Sequence, residues 1–131
     1  MNVNKQSISI VGKLQAEITG ELNINLPNED ISMYPGFIKH MQKRHPDCVK
    51  YISNIQDIIN SPDYIGVHPN EENSVELVKV FDKNILLSIN LSTKTNKEYL
   101  YVSSLYDISE AKLANRISSG RLKEFIWHIT Y

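Results

Sequence analysis

Two imidazoles and three permanent cations fall within seven residues of this chain, Lys39-His40-Met41-Gln42-Lys43-Arg44-His45. Side chains three and four apart share a helix face. A helix here therefore projects His40, Lys43 and Arg44 together and leaves Phe37 and Met41 for a core-facing stripe. An imidazole titrates near neutrality and can move protons, while the neighbouring cations stabilise negative charge. The combination suits cleavage of a phosphodiester, whose transition state gathers charge on the phosphate oxygens. The competing reading is a solvated basic helix face. His45 complicates both: five residues after His40 it is rotated by about 140° on an ideal helix, and it precedes Pro46, which disfavours helical geometry before it. The two rings meet only if the helix ends near Arg44 and the chain turns back.

The elements that must position these groups are set by a chain of 131 residues, 41% hydrophobic and 22% charged. That length suits one domain, residues 1–131, able to bury roughly two-thirds of its unfolded surface without disulfides or metal. Cys48 has no partner for an intrachain disulfide and reads as a small buried thiol. A single cysteine also excludes the usual multi-thiolate zinc patterns, and no His-x-x-x-His pair or carboxylate cluster replaces them, so no metal site and no cofactor are expected. The opening Met1-Asn2-Val3-Asn4-Lys5-Gln6 lacks a signal-peptide pattern, and no apolar run reaches membrane-spanning length. A cytoplasmic protein without membrane contact is the expectation. The net charge of −1 gives no global attraction for nucleic acid, so such a substrate must be drawn by a local basic surface.

Period-two alternation through Ile8 and Ile10, then Leu14, Ala16 and Ile18, then Leu22, Ile24 and Leu26, predicts two or three short N-terminal strands. Residues 28–30 read as a loop, followed by a helix with Pro35 near its first turn. After Pro46, a second helix runs from Asp47 to Asn60 with Val49, Ile52, Ile55, Ile58 and Ile59 on its inner face, stopped by Ser61-Pro62-Asp63. Strands over Tyr64–Val67, Ser74–Phe81, Ile85–Leu91 and Glu98–Leu105, joined by short polar turns, predict an antiparallel meander. Ser109 caps a helix that Gly120 terminates, and the apolar tail from Leu122 through Trp127 to Ile129 is expected to dock on the body.

Four stretches in this order carry a resemblance. They are Gly36-Phe37-Ile38-Lys39-His40 with Lys43-Arg44-His45-Pro46, Asn60-Ser61-Pro62-Asp63-Tyr64-Ile65-Gly66, Asn73-Ser74-Val75-Glu76-Leu77, and Tyr101-Val102-Ser103-Ser104-Leu105-Tyr106-Asp107-Ile108. Over about residues 30–123 the chain resembles the phage-associated barnase/EndoU/colicin/RelE-like nucleases, abbreviated PBECR. The resemblance implies an α+β fold with N-terminal helices packed on an antiparallel meander, and metal-independent RNA cleavage at the cleft between them. Carried over by position, it implies His40, His45, Ser103 and Tyr106 as active-site positions and matches Lys43 and Arg121 to its basic ones. With Lys43 these read as catalytic, while Arg121, Arg44 beside the imidazoles and Tyr101, able to stack on a nucleotide, read as substrate-binding. The implied protein is a phage or mobile-element endoribonuclease toxin acting on cellular RNA, tRNA among the candidates, with a neutralising protein as a further partner. The rival is an inactive interaction module of the same fold, a virion or immunity-type protein that binds through its apolar tail.

Each of these residues has a structural alternative. On a regular strand Tyr101 and Ser103 share one face, and Ser104 and Tyr106 the other, so either pair could point into the core. Glu76 could be a base facing the cleft or simply the solvent side of its strand, and Lys79 is ambiguous. His68 and His128 read as structural or exposed. Arg116, Arg121 and Lys123 could contact phosphate or form a solvated face.

Overall fold

The computed structural model describes residues 9–24, 30–71, 73–92 and 99–126. In chain order these form β1 (Ser9–Lys13), α1 (Ala16–Glu21), β2 (Asp30–Met33), α2 (Phe37–Arg44), a 3-10 helix (Pro46–Asn54) and α3 (Ile55–Asn60). Then follow β3 (Tyr64–Val67), β4 (Ser74–Val80), β5 (Asn84–Ser92), β6 (Tyr99–Ile108), α4 (Glu110–Ser118) and β7 (Leu122–Glu124). The strands make one seven-stranded sheet in the order β1-β2-β6-β5-β4-β3-β7. The expected meander is its centre, where β3, β4, β5 and β6 pair antiparallel in succession.

Alternation along the meander, with one slip in its last strand, separates two faces. Leu77, Ile85, Leu87, Ile89, Val102 and Leu105 point to one side, where they pack with Ile18 of α1, Phe37 and Met41 of α2, Cys48 and Tyr51 of the 3-10 helix, and Ile58 and Ile59 of α3. Helices of six to nine residues are too short to hold themselves in water, so this shared burial is what fixes them. The opposite face carries a smaller cluster, Val78, Leu86 and Ile108 under Leu113 of α4 and Leu122 of β7. Ser109 caps α4, its hydroxyl accepting the Lys112 N–H at 3.0 Å.

The N-terminal region departs from expectation. The run Leu14, Ala16, Ile18 leads into a helix, not a strand: Leu14 and Ile18 stand four apart and both are fully buried, whereas Ala16 is exposed. Asp30, expected in a loop, begins β2, which pairs antiparallel with β1 and parallel with β6 through Ile31 opposite Leu100 and Ser32 opposite Tyr101. The sheet is thus antiparallel except at this one junction. The segment after Pro46 is helical as expected, but its first nine residues are 3-10. The apolar spacing explains this, since Cys48 and Tyr51, and likewise Val49 and Ile52, stand three apart, the repeat of a 3-10 helix. The start of the tail docks as β7, with Phe125 buried behind it. Ile8, Leu26, Glu98 and the tail beyond Ile126 lie outside the described residues.

Candidate active site

His45 ends α2. Its N–H still donates to the Met41 carbonyl at 2.8 Å, but its backbone has left the helix (φ −140°, ψ 62°), as a residue preceding proline tends to. The turn swings the half-buried His45 ring to 6.5 Å from the ring of exposed His40, centroid to centroid. On its other side His45 stacks on Tyr106 at 5.6 Å, with 25° between the planes. His40 also lies 6.3 Å from Phe37, whose burial anchors the helix under it. Lys43 and Arg44 are exposed on the same helix, and among the described residues neither forms an ion pair.

The wall opposite α2 is β6. Expected to end near Leu105, it continues to Ile108, so Tyr106 lies inside the strand. Its pairing with β5 slips between Ser88 opposite Ser104 and Ile89 opposite Val102, leaving Ser103 as an extra residue. The slip overturns the parity expected of a regular strand. Leu100, Val102 and Leu105 all face the main core, so Tyr101, Ser103 and Tyr106 end on the opposite face together. Ser103 Oγ lies 3.1 Å from both the carbonyl and the hydroxyl of Ser88, and Ser88 Oγ lies 3.0 Å from Ser74 Oγ. Three hydroxyls thus link β4, β5 and β6. Tyr101 is half-buried and meets Tyr34 edge to face at 5.3 Å.

A polar lane crosses this face, through the cross-strand neighbours Gly66, Glu76, Ser88 and Ser104. Its far end is occupied by Arg121. The Arg121 Nε and Nη2 donate to the two Glu76 carboxylate oxygens at 2.8 and 2.6 Å, and the Glu76 side chain is only 1% exposed. Hydrogen bonding to Glu76 raises the Arg121 pKa further, against the opposing effect of burial, and Tyr106 lies close enough to add to the rise. Two glycines allow the approach. Gly120, at φ +85°, reverses the chain after α4, and a Cβ on Gly66 would lie 1.9 Å from the Arg121 carbonyl oxygen.

The structure therefore brings together His40, His45 and Tyr106, and sets Tyr101, Ser103 and Arg121 on the sheet face that Tyr106 shares. Lys43 and Arg44 flank the imidazoles along the chain, with no ion pair among the described residues. Glu76 turns out neither solvent-facing nor a free base; it buttresses Arg121, a role hidden in the sequence because the partners stand 45 residues apart. Ser74 and Ser88 were legible only as polar positions alternating with the core residues. Elsewhere, Lys79 donates to the Ser61 carbonyl at 2.8 Å, and His68 Nδ1 accepts the Asn70 N–H at 3.1 Å while Nε2 lies 3.5 Å from Glu71. Lys123 is tied to Glu21 at 3.1 Å. Burial and a hydrogen bond to Asp107 push the Cys48 thiol up, away from thiolate character. Among the described residues no group of three His, Cys, Asp or Glu side chains could hold a metal ion, and no helix is long and apolar enough to cross a membrane.

A helix-borne pair of imidazoles against a polar sheet face is an arrangement able to hold a phosphodiester and move its protons, as a nuclease must. The family model described as phage-Barnase-EndoU-ColicinE5/D-RelE like nuclease3 matches residues 9–115, and the chain belongs to that nuclease family. The match takes in β1 and α1, which precede the motifs of the resemblance, and stops inside α4 before Arg121. No curated protein and no solved structure matches the chain.

Proposed function

We propose that the protein is an endoribonuclease that cuts RNA without metal, by attack of a ribose 2′-hydroxyl on the adjacent phosphate. The observation that carries this reading is the His40, His45 and Tyr106 cluster: two proton-transfer groups 6.5 Å apart at the margin of a polar sheet face. One imidazole takes the 2′-hydroxyl proton as the 2′-oxygen bonds to phosphorus. The other protonates the departing 5′-oxygen as the P–O5′ bond breaks, giving a 2′,3′-cyclic phosphate and a 5′-hydroxyl. RNA supplies its own nucleophile, so the reaction needs no metal-activated water. Lys43 stabilises the charge gathered on the phosphate, Tyr106 orients His45, and Ser103 contributes a hydroxyl to the phosphate or base. Arg44 and Arg121 bind backbone phosphates, while Tyr101 offers a ring edge to a nucleotide.

Membership of a phage-associated nuclease family supports the further reading of a phage or mobile-element toxin, acting in the cytoplasm on cellular RNA such as tRNA and held in check by a neutralising protein. The experiment is cleavage of end-labelled RNA by purified protein in excess EDTA, with analysis of the product ends. Cyclic phosphate termini, abolished by His40→Ala in a variant that melts like the parent, are the expected result. Full activity in that variant, or activity restored only by a divalent cation, would overturn the mechanism.

A further inference from the structure

We propose that the pocket at the turn between α4 and β7 is a second anion subsite, which takes a phosphate of the RNA strand away from the bond being cut. The pocket measures about 580 Å³ and is lined by Arg116, Arg121, Asn115 and Ser119 together with the apolar Val67 and Pro69. Its charge is unbalanced. Glu76 neutralises Arg121, whereas Arg116 has no ion-pair partner among the described residues, and its Nη1 is buried without a hydrogen bond. Buried guanidinium nitrogens are ordinarily satisfied, so Arg116, which lines the pocket, keeps an unmet donor just behind its wall.

The geometry of Arg121 adds to this. A guanidinium has five N–H donors; Glu76 takes Nε and one hydrogen of Nη2, which leaves the Nη1 and Nη2 end to a second oxyanion. The Ser119 hydroxyl is spent on the turn, donating to the Arg116 carbonyl at 3.1 Å, so the pocket's donors are the two arginines and the Asn115 amide. Arg121 therefore stands at the junction of this pocket and the polar lane that leads towards Tyr106. A strand held at the imidazoles and running along that lane would bring a neighbouring phosphate here. Assignment to RNA rests on the nuclease reading; the anion site itself does not.

The test is nuclear magnetic resonance titration of the full chain with two probes, inorganic phosphate and a short single-stranded RNA whose 2′-hydroxyls are methylated and which cannot be cut. Both should saturably shift the Gly120 and Arg121 amides and the Arg116 side-chain signals. Arg116→Gln should weaken RNA binding about tenfold and lower the salt dependence by about one counterion, while Arg116→Lys, which keeps the charge, should recover part of the loss. Melting curves establish that both variants fold. Signals unmoved by either probe, or equal RNA affinity in Arg116→Gln, would overturn the subsite, and binding of phosphate but not RNA would overturn its assignment to a nucleic acid. Binding of the methylated RNA by a protein that leaves unmodified RNA intact would refute the nuclease reading and uphold the subsite.

Discussion

The ring of His45 lies on the ring of Tyr106, 5.6 Å from centroid to centroid and 25° from parallel, and this contact joins the end of α2 to the face of β6 turned away from the main core. It holds an imidazole that would otherwise swing freely at the mouth of a turn. In the proposed reaction, an imidazole held in one orientation needs less rearrangement to reach the transition state.

Replacing His45 by Phe keeps an aromatic ring against Tyr106 and removes the titrating nitrogens. RNA cleavage should fall at least about 100-fold, with a melting temperature close to that of the parent. Single-turnover rates on one RNA substrate, measured beside a thermal melt, check both halves. Unchanged rates would remove His45 from the chemistry.

Glu76→Gln should destabilise the fold by about 3 kcal/mol, because it leaves the mostly buried Arg121 guanidinium without its counter-charge. Adding Arg121→Met should restore most of that loss, since an apolar side chain needs no partner there. Chemical denaturation of the two single variants and the double variant gives the coupling directly. Additive losses would mean that the pair is not an energetic unit.

Gly66→Ala should cost about 2 kcal/mol or more, since the new methyl would land on the backbone of Arg121, which cannot yield as a flexible side-chain tip would. The damage should concentrate at β7. Amide exchange at Leu122 and Lys123 should quicken more than exchange at the β4–β5 pairing, and equal protection in variant and parent would contradict the tight approach.

Asp82 accepts a hydrogen bond from the Tyr51 hydroxyl, which pushes the phenol from 10.0 up to about 12 and pulls the carboxyl of Asp82 down. Folded Tyr51 keeps its proton where the unfolded chain has begun to lose it. The stability contributed is therefore complete below about pH 10 and is lost as pH rises through about 12. For Asp82 the sign reverses: its contribution is present above the ordinary carboxylate pKa and disappears as pH falls through the lowered one. Melting temperatures of parent and Tyr51→Phe should differ most near neutrality and converge at both extremes, and a constant gap across pH would refute the linkage.

The meander was legible because period two persists from β3 through β5 and breaks only once in β6, with short turns between, and the break after α2 was legible because Pro46 constrains His45. Local rules reach that far. They failed at α1, where Leu14 and Ile18 satisfy strand and helix spacing alike, and at β2, whose four residues show no period and whose partner β6 lies far along the chain. The site divides in the same way. His40, Lys43 and Arg44 share a helix and could be grouped by spacing alone, but a one-residue slip in β6 decides which face receives Ser103. The grip of Glu76 on Arg121 depends on β7 returning beside β3, which no local pattern announces.

That return has a consequence for how the protein comes into being. A chain made from its N-terminus produces both histidines early, His40 on an eight-residue helix and His45 just past its end, before Tyr106 and β6 exist to face them. Arg121 comes later still and can dock only on a finished β3–β4 ribbon. Early portions of the nascent chain therefore carry His40 and His45 without the wall they face, and the candidate site is assembled only once synthesis has passed the last of these residues.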